Sequence, residues 1–409
     1  MKLGKELIVK VVRLNNEAEG VAIKDGLVIF IKGALPEEDV KIKIIEMKKN
    51  YAIGELIEVI SINNKRTIPL CPFYGKCGGC DIMHMNKELQ LEFKKQKVID
   101  VFKKICKLEL NVNDTLSYNN NNYRNKVVLR IEGNSIGYYE PKSNKLVGIN
   151  ECLLCDPLIN EAISKIKDFI GYYTSHRINE VMIRVAKDEL MICIDTINKR
   201  WIDKFIKRLD IASCIYVGND LVYGMDSINQ KLNDLVFDIS PKSFFQVNPV
   251  TAEKLFEFAL KNINEQNICV DLYSGTGTIA ISLAKKSRRV IAIESNKSAV
   301  EDAKSNMVLN NLDNVEFMHG RVEDLIDELK DLNIDTLVLD PPRSGSDKRS
   351  LRALLKFKPK NIIYISCNPV TLARDYNVIR NLYEITEVQP FDMFPNTHHV
   401  ETVMVLERR

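Results

Sequence analysis

No stretch of this 409-residue chain approaches the roughly eighteen consecutive apolar residues of a membrane-spanning helix, so no membrane partner is expected. The opening MKLGKELIVK lacks the apolar run and small-residue cleavage site of a signal peptide, which makes a cytoplasmic protein the expectation. In that compartment ten cysteines do not form a disulfide framework. They read as metal, redox or catalytic positions, plus buried small apolar residues. A large charge excess is also missing. The net charge is +3, so the whole chain is not a basic nucleic-acid coat. Residues 61–150 nevertheless hold a clear surplus of Lys and Arg, compatible either with phosphate contacts or with a solvated face. There is no convincing internal repeat, and nothing in the composition implies an obligate protein partner.

The length exceeds one ordinary core, and the rhythm of the sequence changes twice. Residues 1–60 alternate apolar and polar in short β-branched runs, such as LIVKVVRL and VKIKIIEM, and predict a small OB-like β-barrel. Residues 61–240 predict an α+β domain. It includes the amphipathic run KELQLEFKKQKVIDVFKKIC and a polar loop, SYNNNNYRNK. In that loop Tyr118 and Tyr123 stand beside Arg124 and Lys126, a composition that suits base stacking and phosphate contact. Residues 241–409 alternate short apolar strands with helices and predict a mainly parallel, Rossmann-like α/β sheet. The last two strands are expected to form an antiparallel edge pair.

Three cysteines fall within CPFYGKCGGCDIMHM, at Cys71, Cys77 and Cys80. Three thiols are one short of a closed four-ligand site. Zinc with four cysteines and an iron–sulfur cluster both fit the spacing on physical grounds. The spacing C-x5-C-x2-C differs from the C-x3-C-x2-C of radical enzymes that use S-adenosylmethionine.

Chemistry is concentrated near the C-terminus. DLYSGTGTIAISLA follows an apolar strand and opens a helix, with Gly275 and Gly277 allowing close approach of a ligand. The third glycine of the dinucleotide fingerprint is absent. Glu294, at the end of the next strand, is placed to accept from ribose hydroxyls. This combination is the pattern of S-adenosylmethionine methyltransferases, with a nicotinamide-binding domain as the rival. Two further strands end in LVLDPPRSG and YISCNPVTLARD, which puts Asp340 and Cys367 where open α/β sheets bind ligands. Glu401 enters the final apolar strand beside His398 and His399, and there a carboxylate with a raised pKa can accept a proton.

A thiol and a carboxylate beside a sulfonium suggest one reaction. Carbon 5 of uracil is too weak a nucleophile to take a methyl group. A thiolate added at carbon 6 makes carbon 5 nucleophilic, and a base then removes its proton so that the thiolate leaves. SPKSFFQVNP offers Gln246 and Asn248 as amides for the uracil edge, and Phe244 or Phe245 as an apolar face. A base inside folded RNA would have to be turned out of its stack.

These residues carry a resemblance. SFFQVNP, DLYSGTGTIA, LVLDPPRSG, ISCNPVTLARD and FPNTHHVE occur in the order found in the RNA 5-methyluridine methyltransferases. Residues 1–60 resemble that family's TRAM domain, and the cysteine segment resembles its iron–sulfur subset, which methylates 23S ribosomal RNA. The resemblance implies Cys367 as nucleophile, Glu401 as general base, and Gln246, Tyr273, Glu294 and Asp340 as contacts to S-adenosyl-L-methionine. It implies a [4Fe–4S] cluster on Cys71, Cys77, Cys80 and a later cysteine. Cys152 is favoured, and Cys155 three residues on is a second candidate. A transfer-RNA uridine-C5 methyltransferase, and a non-catalytic RNA-binding protein on the same fold, are the alternatives.

Overall fold

A computed structural model of the chain describes residues 2–175, 177–196, 199–263 and 267–409. Its N-terminal unit is a closed five-stranded barrel. The strands are β1 (Glu6–Leu14), β2 (Gly20–Lys24), β3 (Leu27–Ile31), β4 (Asp39–Met47) and β5 (Tyr51–Ser61), in the order β1-β2-β3-β5-β4. The period-two alternation does the work here. Val9, Val11, Ile29, Ile31, Val40, Ile42 and Ile44 turn inward and are at most 4% exposed. The segment leaving the barrel is pinned back to it. Arg66 grips the fully buried Glu38 through both carboxylate oxygens, Nε at 2.5 Å and Nη2 at 2.7 Å.

Helix α1 (Lys87–Cys106) follows, started by the Asn86 side chain, which accepts from the Leu89 N–H at 2.9 Å. The central sheet is built from β6 (Lys126–Glu132), β7 (Ser135–Tyr139), β8 (Leu146–Gly148), β9 (Ile178–Ala186), β10 (Glu189–Thr196), β11 (Cys214–Val217) and β12 (Asp220–Gly224). Its order is β12-β11-β10-β9-β6-β7-β8. Helices α2 (Pro157–Tyr172) and α3 (Ile202–Arg208) share its core. Ile159, Ile163, Ile166 and Ile170 form the buried face of α2 at three- and four-residue spacing.

A hairpin, β13 (Ile228–Leu232) and β14 (Leu235–Ile239), and helix α4 (Pro249–Ala259) lead into the C-terminal sheet. There β15 (Ile268–Leu272), α5 (Thr278–Ala284), β16 (Arg289–Glu294), α6 (Lys297–Leu309), β17 (Val315–His319), α7 (Val322–Leu325), β18 (Thr336–Leu339), α8 (Lys348–Phe357), β19 (Asn361–Ser366) and α9 (Pro369–Ile379) alternate. The strand order is β17-β16-β15-β18-β19-β21-β20, with β20 (Tyr383–Phe391) and β21 (Glu401–Arg408) closing the chain. The first five strands are parallel. Strand β21 runs antiparallel between β19 and β20, so of the last two strands only β20 lies at an edge. No helix among the described residues is long and apolar enough to cross a membrane.

Packing crosses the boundaries that composition suggests at residues 61 and 241. Helix α1 lies within the 61–240 block, yet its Val98, Val101 and Phe102 enter the same core as β15, β18, β19 and α9. The Cys106 thiol donates to the Ala373 carbonyl at 3.2 Å. The hairpin β13–β14 likewise shares a core with α4 and α5. The polar loop corrects an expectation. Tyr118 is 42% exposed, but Tyr123 is 3% exposed and donates to the Pro395 carbonyl, so its ring is not free to stack on a base.

Candidate active site

Two Asn-Pro steps shape the site. Asn368 caps α9, accepting from Val370 N at 3.1 Å, and Pro369 opens the helix. This turns the chain sharply at Cys367, directly beyond β19. Asn248 and Pro249 do the same for α4. Asn248 is fully buried, and its amide also donates to the Met393 carbonyl at 3.2 Å. Phe245 is buried against Phe237. Neither therefore faces a ligand, and Gln246 and Phe244 are the residues of that segment that do.

Register brings Cys367 and Glu401 together. Ser366 on β19 is paired with Thr402 on β21, which sets Cys367 and Glu401 side by side at the strand ends. They line a cavity of ≈ 340 Å³ at the point where the sheet order reverses between β15 and β18. Gln246, Phe244, Tyr273, Asp340, Arg343 and Phe394 also line it. Tyr273 holds φ +67°, a left-handed conformation unusual for a bulky residue and typical of functional turns. Gly277 has φ +81°, and a Cβ there would lie 2.9 Å from the Cβ of Ala303, so the loop needs glycine to pass α6.

The electrostatics are those of a buried, acidic pocket. Asp340 keeps some accessible surface because it lines the cavity, but its carboxyl lies deep, and burial raises its pKa to about 7. Glu401 is 4% exposed. Burial, then the neighbouring Asp340, push it well above the usual carboxylate range, with Arg343 opposing. Burial and then Glu401 raise the Cys367 thiol to about 11, while the Arg343 guanidinium beside it pulls the other way. Ser274 Oγ is buried on the cavity wall with no hydrogen-bond partner, a polar atom left for a ligand. Glu294 does not line the cavity. It braces the loop, accepting from Gly275 N at 2.9 Å and Asn296 N at 2.7 Å.

Sequence reasoning quoted DPPR but gave Arg343 no role. Its backbone carbonyl accepts from the Asn368 amide at 3.1 Å, which ties the two motifs together. Asp271, within DLYSGTG, was also passed over. It is fully enclosed behind the loop, and burial and Asp340 keep its carboxyl well above the usual range.

The cysteine segment is separate. Among the described residues no three His, Cys, Asp or Glu side chains form a group that could hold a metal ion. Cys71, Cys77, Cys80 and Cys152 do face one another. The Cys80 pKa is raised by burial, then by Cys152, Cys77 and Cys71, and Cys77 is raised by burial and, more weakly, by Cys152 and Cys71. Cys155 is fully buried, with Tyr138 Oη beside its sulfur, and its backbone N–H donates to the Cys152 carbonyl at 3.0 Å. Of the two, Cys152 is the one that acts on Cys77 and Cys80.

The family described as tRNA (Uracil-5-)-methyltransferase matches residues 86–409, and the TRAM domain matches residues 1–57. An RNA methyltransferase described as uncharacterized from Caldanaerobacter subterraneus subsp. tengcongensis is 37% identical, covering 100% of this chain and 99% of its own length. A similarly described RNA methyltransferase from Clostridium tetani is 36% identical over 96% of this chain and 94% of its own. Among solved structures, the Pyrococcus abyssi tRNA (uracil-54, C5)-methyltransferase in complex with S-adenosyl-L-homocysteine superposes with a TM-score of 0.81. It is 29% identical, over 98% of this chain and 100% of that one. The matched family, the TRAM barrel and the cavity at the strand ends agree: the chain belongs to the S-adenosylmethionine-dependent RNA uracil-C5 methyltransferases.

Proposed function

We propose that the protein methylates carbon 5 of a uridine in 23S ribosomal RNA through a covalent adduct at Cys367. The observation that carries this is one cavity lined by Cys367, Glu401, Arg343, Asp340, Gln246 and Tyr273. The Cys367 thiol gives its proton to solvent and adds through sulfur to carbon 6 of the uracil, and the ring electrons move onto carbon 5 and oxygen 4. S-Adenosylmethionine supplies the electrophilic methyl group to carbon 5. Glu401 then takes the carbon 5 proton, the C–H electrons restore the 5,6 double bond, and the carbon–sulfur bond breaks to return the thiolate. Arg343 stabilises that thiolate. Gln246 and the exposed face of Phe244 receive the flipped base. Tyr273, Asp340, Gln246 and the Ser274 hydroxyl hold the methyl donor, and Glu294, which the resemblance assigns to the same donor, braces the loop through Gly275.

The choice of RNA rests on the barrel and cysteine segment occurring together. Transfer RNA is the second reading, favoured by the name of the Pyrococcus neighbour, which spans the whole chain. Incubation with labelled donor and each unmodified RNA, followed by mapping of 5-methyluridine, decides between them. Label in transfer RNA alone overturns the ribosomal assignment.

We assign Cys71, Cys77, Cys80 and Cys152 to a [4Fe–4S] cluster. What supports the reading is that the three clustered thiols and Cys152 influence one another, together with the resemblance of the cysteine segment to the family's iron–sulfur subset. Methyl transfer moves no electron, so the role of the centre is to hold its segment. Protein purified without oxygen should contain iron; zinc in its place refutes the assignment.

A further inference from the structure

The segment that delivers Glu401 is held from the cysteine side. Asp81, the residue after Cys80, accepts from the His398 backbone N–H at 2.8 Å with Oδ1. Its other oxygen meets the His398 ring at Nδ1. In return the backbone N–H groups of Asp81 and Ile82 both donate to the Asn396 carbonyl, at 3.1 and 3.2 Å. From the opposite side, Lys97 of α1 donates to the His398 carbonyl at 3.0 Å. The His398 Nε2 lies 3.2 Å from the Glu17 carboxylate of the barrel. His398 is therefore fixed through its N–H, its carbonyl and both ring nitrogens, three residues before Glu401.

We infer that Asp81 is a positioning residue for Glu401, acting through His398 to hold the proton acceptor against carbon 5 of the bound uracil. The inference rests on the function proposed above. No residue of the cysteine segment lines the cavity, so this route runs through hydrogen bonds alone. A general base displaced by about an ångström loses much of its contribution while the nucleophile, at the end of β19, stays in place. Addition and methylation should then continue, and release should slow.

The test follows the denaturation-resistant protein–RNA adduct, with RNA substrate and labelled donor, in Asp81→Asn, His398→Ala and Glu401→Gln. Adduct formation in Asp81→Asn should stay within about threefold of the parent, and its decay should slow by about tenfold or more, the scale expected for a misplaced base. The trapped adduct should carry the label. His398→Ala, which changes no residue of the cysteine segment, should behave alike, and the double variant should be no slower than the worse single one. Formation and decay falling together would mark a merely structural contact and overturn the inference, as would unchanged decay in both variants. Glu401→Gln separates the two levels: no adduct there refutes the role given to Glu401 itself. Adduct there, with normal decay in Asp81→Asn and His398→Ala, refutes only the positioning role.

Discussion

Raising the pH of the isolated protein from 7 to 10 should increase the alkylation rate of Cys367 about a thousandfold. The thiolate is the reactive form, and burial and Glu401 lift this thiol to about 11. A raised pKa keeps the neutral form dominant, so about one Cys367 in ten thousand is ionised at pH 7 and about one in ten at pH 10. A thiol with the ordinary pKa of about 8.5 would gain only about thirtyfold over the same interval and saturate before its end. The assay is iodoacetamide labelling at a fixed time, read on the Cys367 peptide by mass spectrometry so that the other nine cysteines do not interfere. Two variants fix the cause. Arg343→Met removes the cation that lowers the pKa, and labelling at pH 8 should slow. Glu401→Gln removes the leading charge that raises it, and labelling should quicken. A profile that levels off below pH 9 would refute the account of the pocket.

Cys152→Ser should lose most bound iron, whereas Cys155→Ser, at a fully buried thiol beside Tyr138, should keep most of it; iron analysis of protein purified without oxygen checks both. Lys94→Ala should cost about 3 kcal/mol in denaturant melts, because it strips one of two lysines from the fully buried Asp392. Burial alone would raise the Asp392 pKa, but Lys94 and Lys87 outweigh it and hold the carboxyl low. That stabilisation is complete above the unfolded pKa of about 4 and disappears as acid titrates the folded carboxyl, so the variant should show less acid sensitivity. Gly345→Ala should lower stability by about 1–2 kcal/mol. Its φ is +80°, and the added Cβ would meet Asp375 Oδ2 at 2.6 Å, shifting the loop that carries Arg343.

The strands, the barrel and the glycine loop were legible because each depends on local pattern. Alternation in β1 to β5 and short apolar runs ending in Asp340 or Cys367 carry their own burial signal. So does Asn-Pro, which caps and starts a helix wherever it stands. What could not be read was which of two adjacent side chains turns inward. Phe244 and Phe245, or Gln246 and Asn248, are equivalent on paper, and only packing against Phe237 and Met393 separates them. Tyr123 looked like a stacking residue because its neighbours are polar, yet its ring is buried and its hydroxyl ends on the Pro395 carbonyl, 272 positions away in sequence. Arg343 was invisible for a related reason. Its importance comes from Cys367, on a different strand.

Those failures converge on one segment, the link between β20 and β21. Lys94 and Lys87 reach Asp392 from α1, Tyr123 reaches Pro395, Asn248 reaches Met393, and Asp81 reaches His398. Every one of these partners precedes the C-terminal sheet or stands at its entrance. The link must leave β20 at the sheet edge and return in the interior to place Glu401 opposite Phe391 and beside Cys367. A loop making that reversal, with a carboxylate at its end buried in a pocket, needs anchors that local sequence does not supply. The α1 helix and the cysteine segment supply them, which accounts for α1 leaving its neighbours in sequence to pack on the C-terminal sheet. The division of the chain into a barrel, a cysteine-bearing block and a catalytic block therefore describes its composition better than its mechanics. Glu401 belongs to the third block by sequence and to the second by attachment.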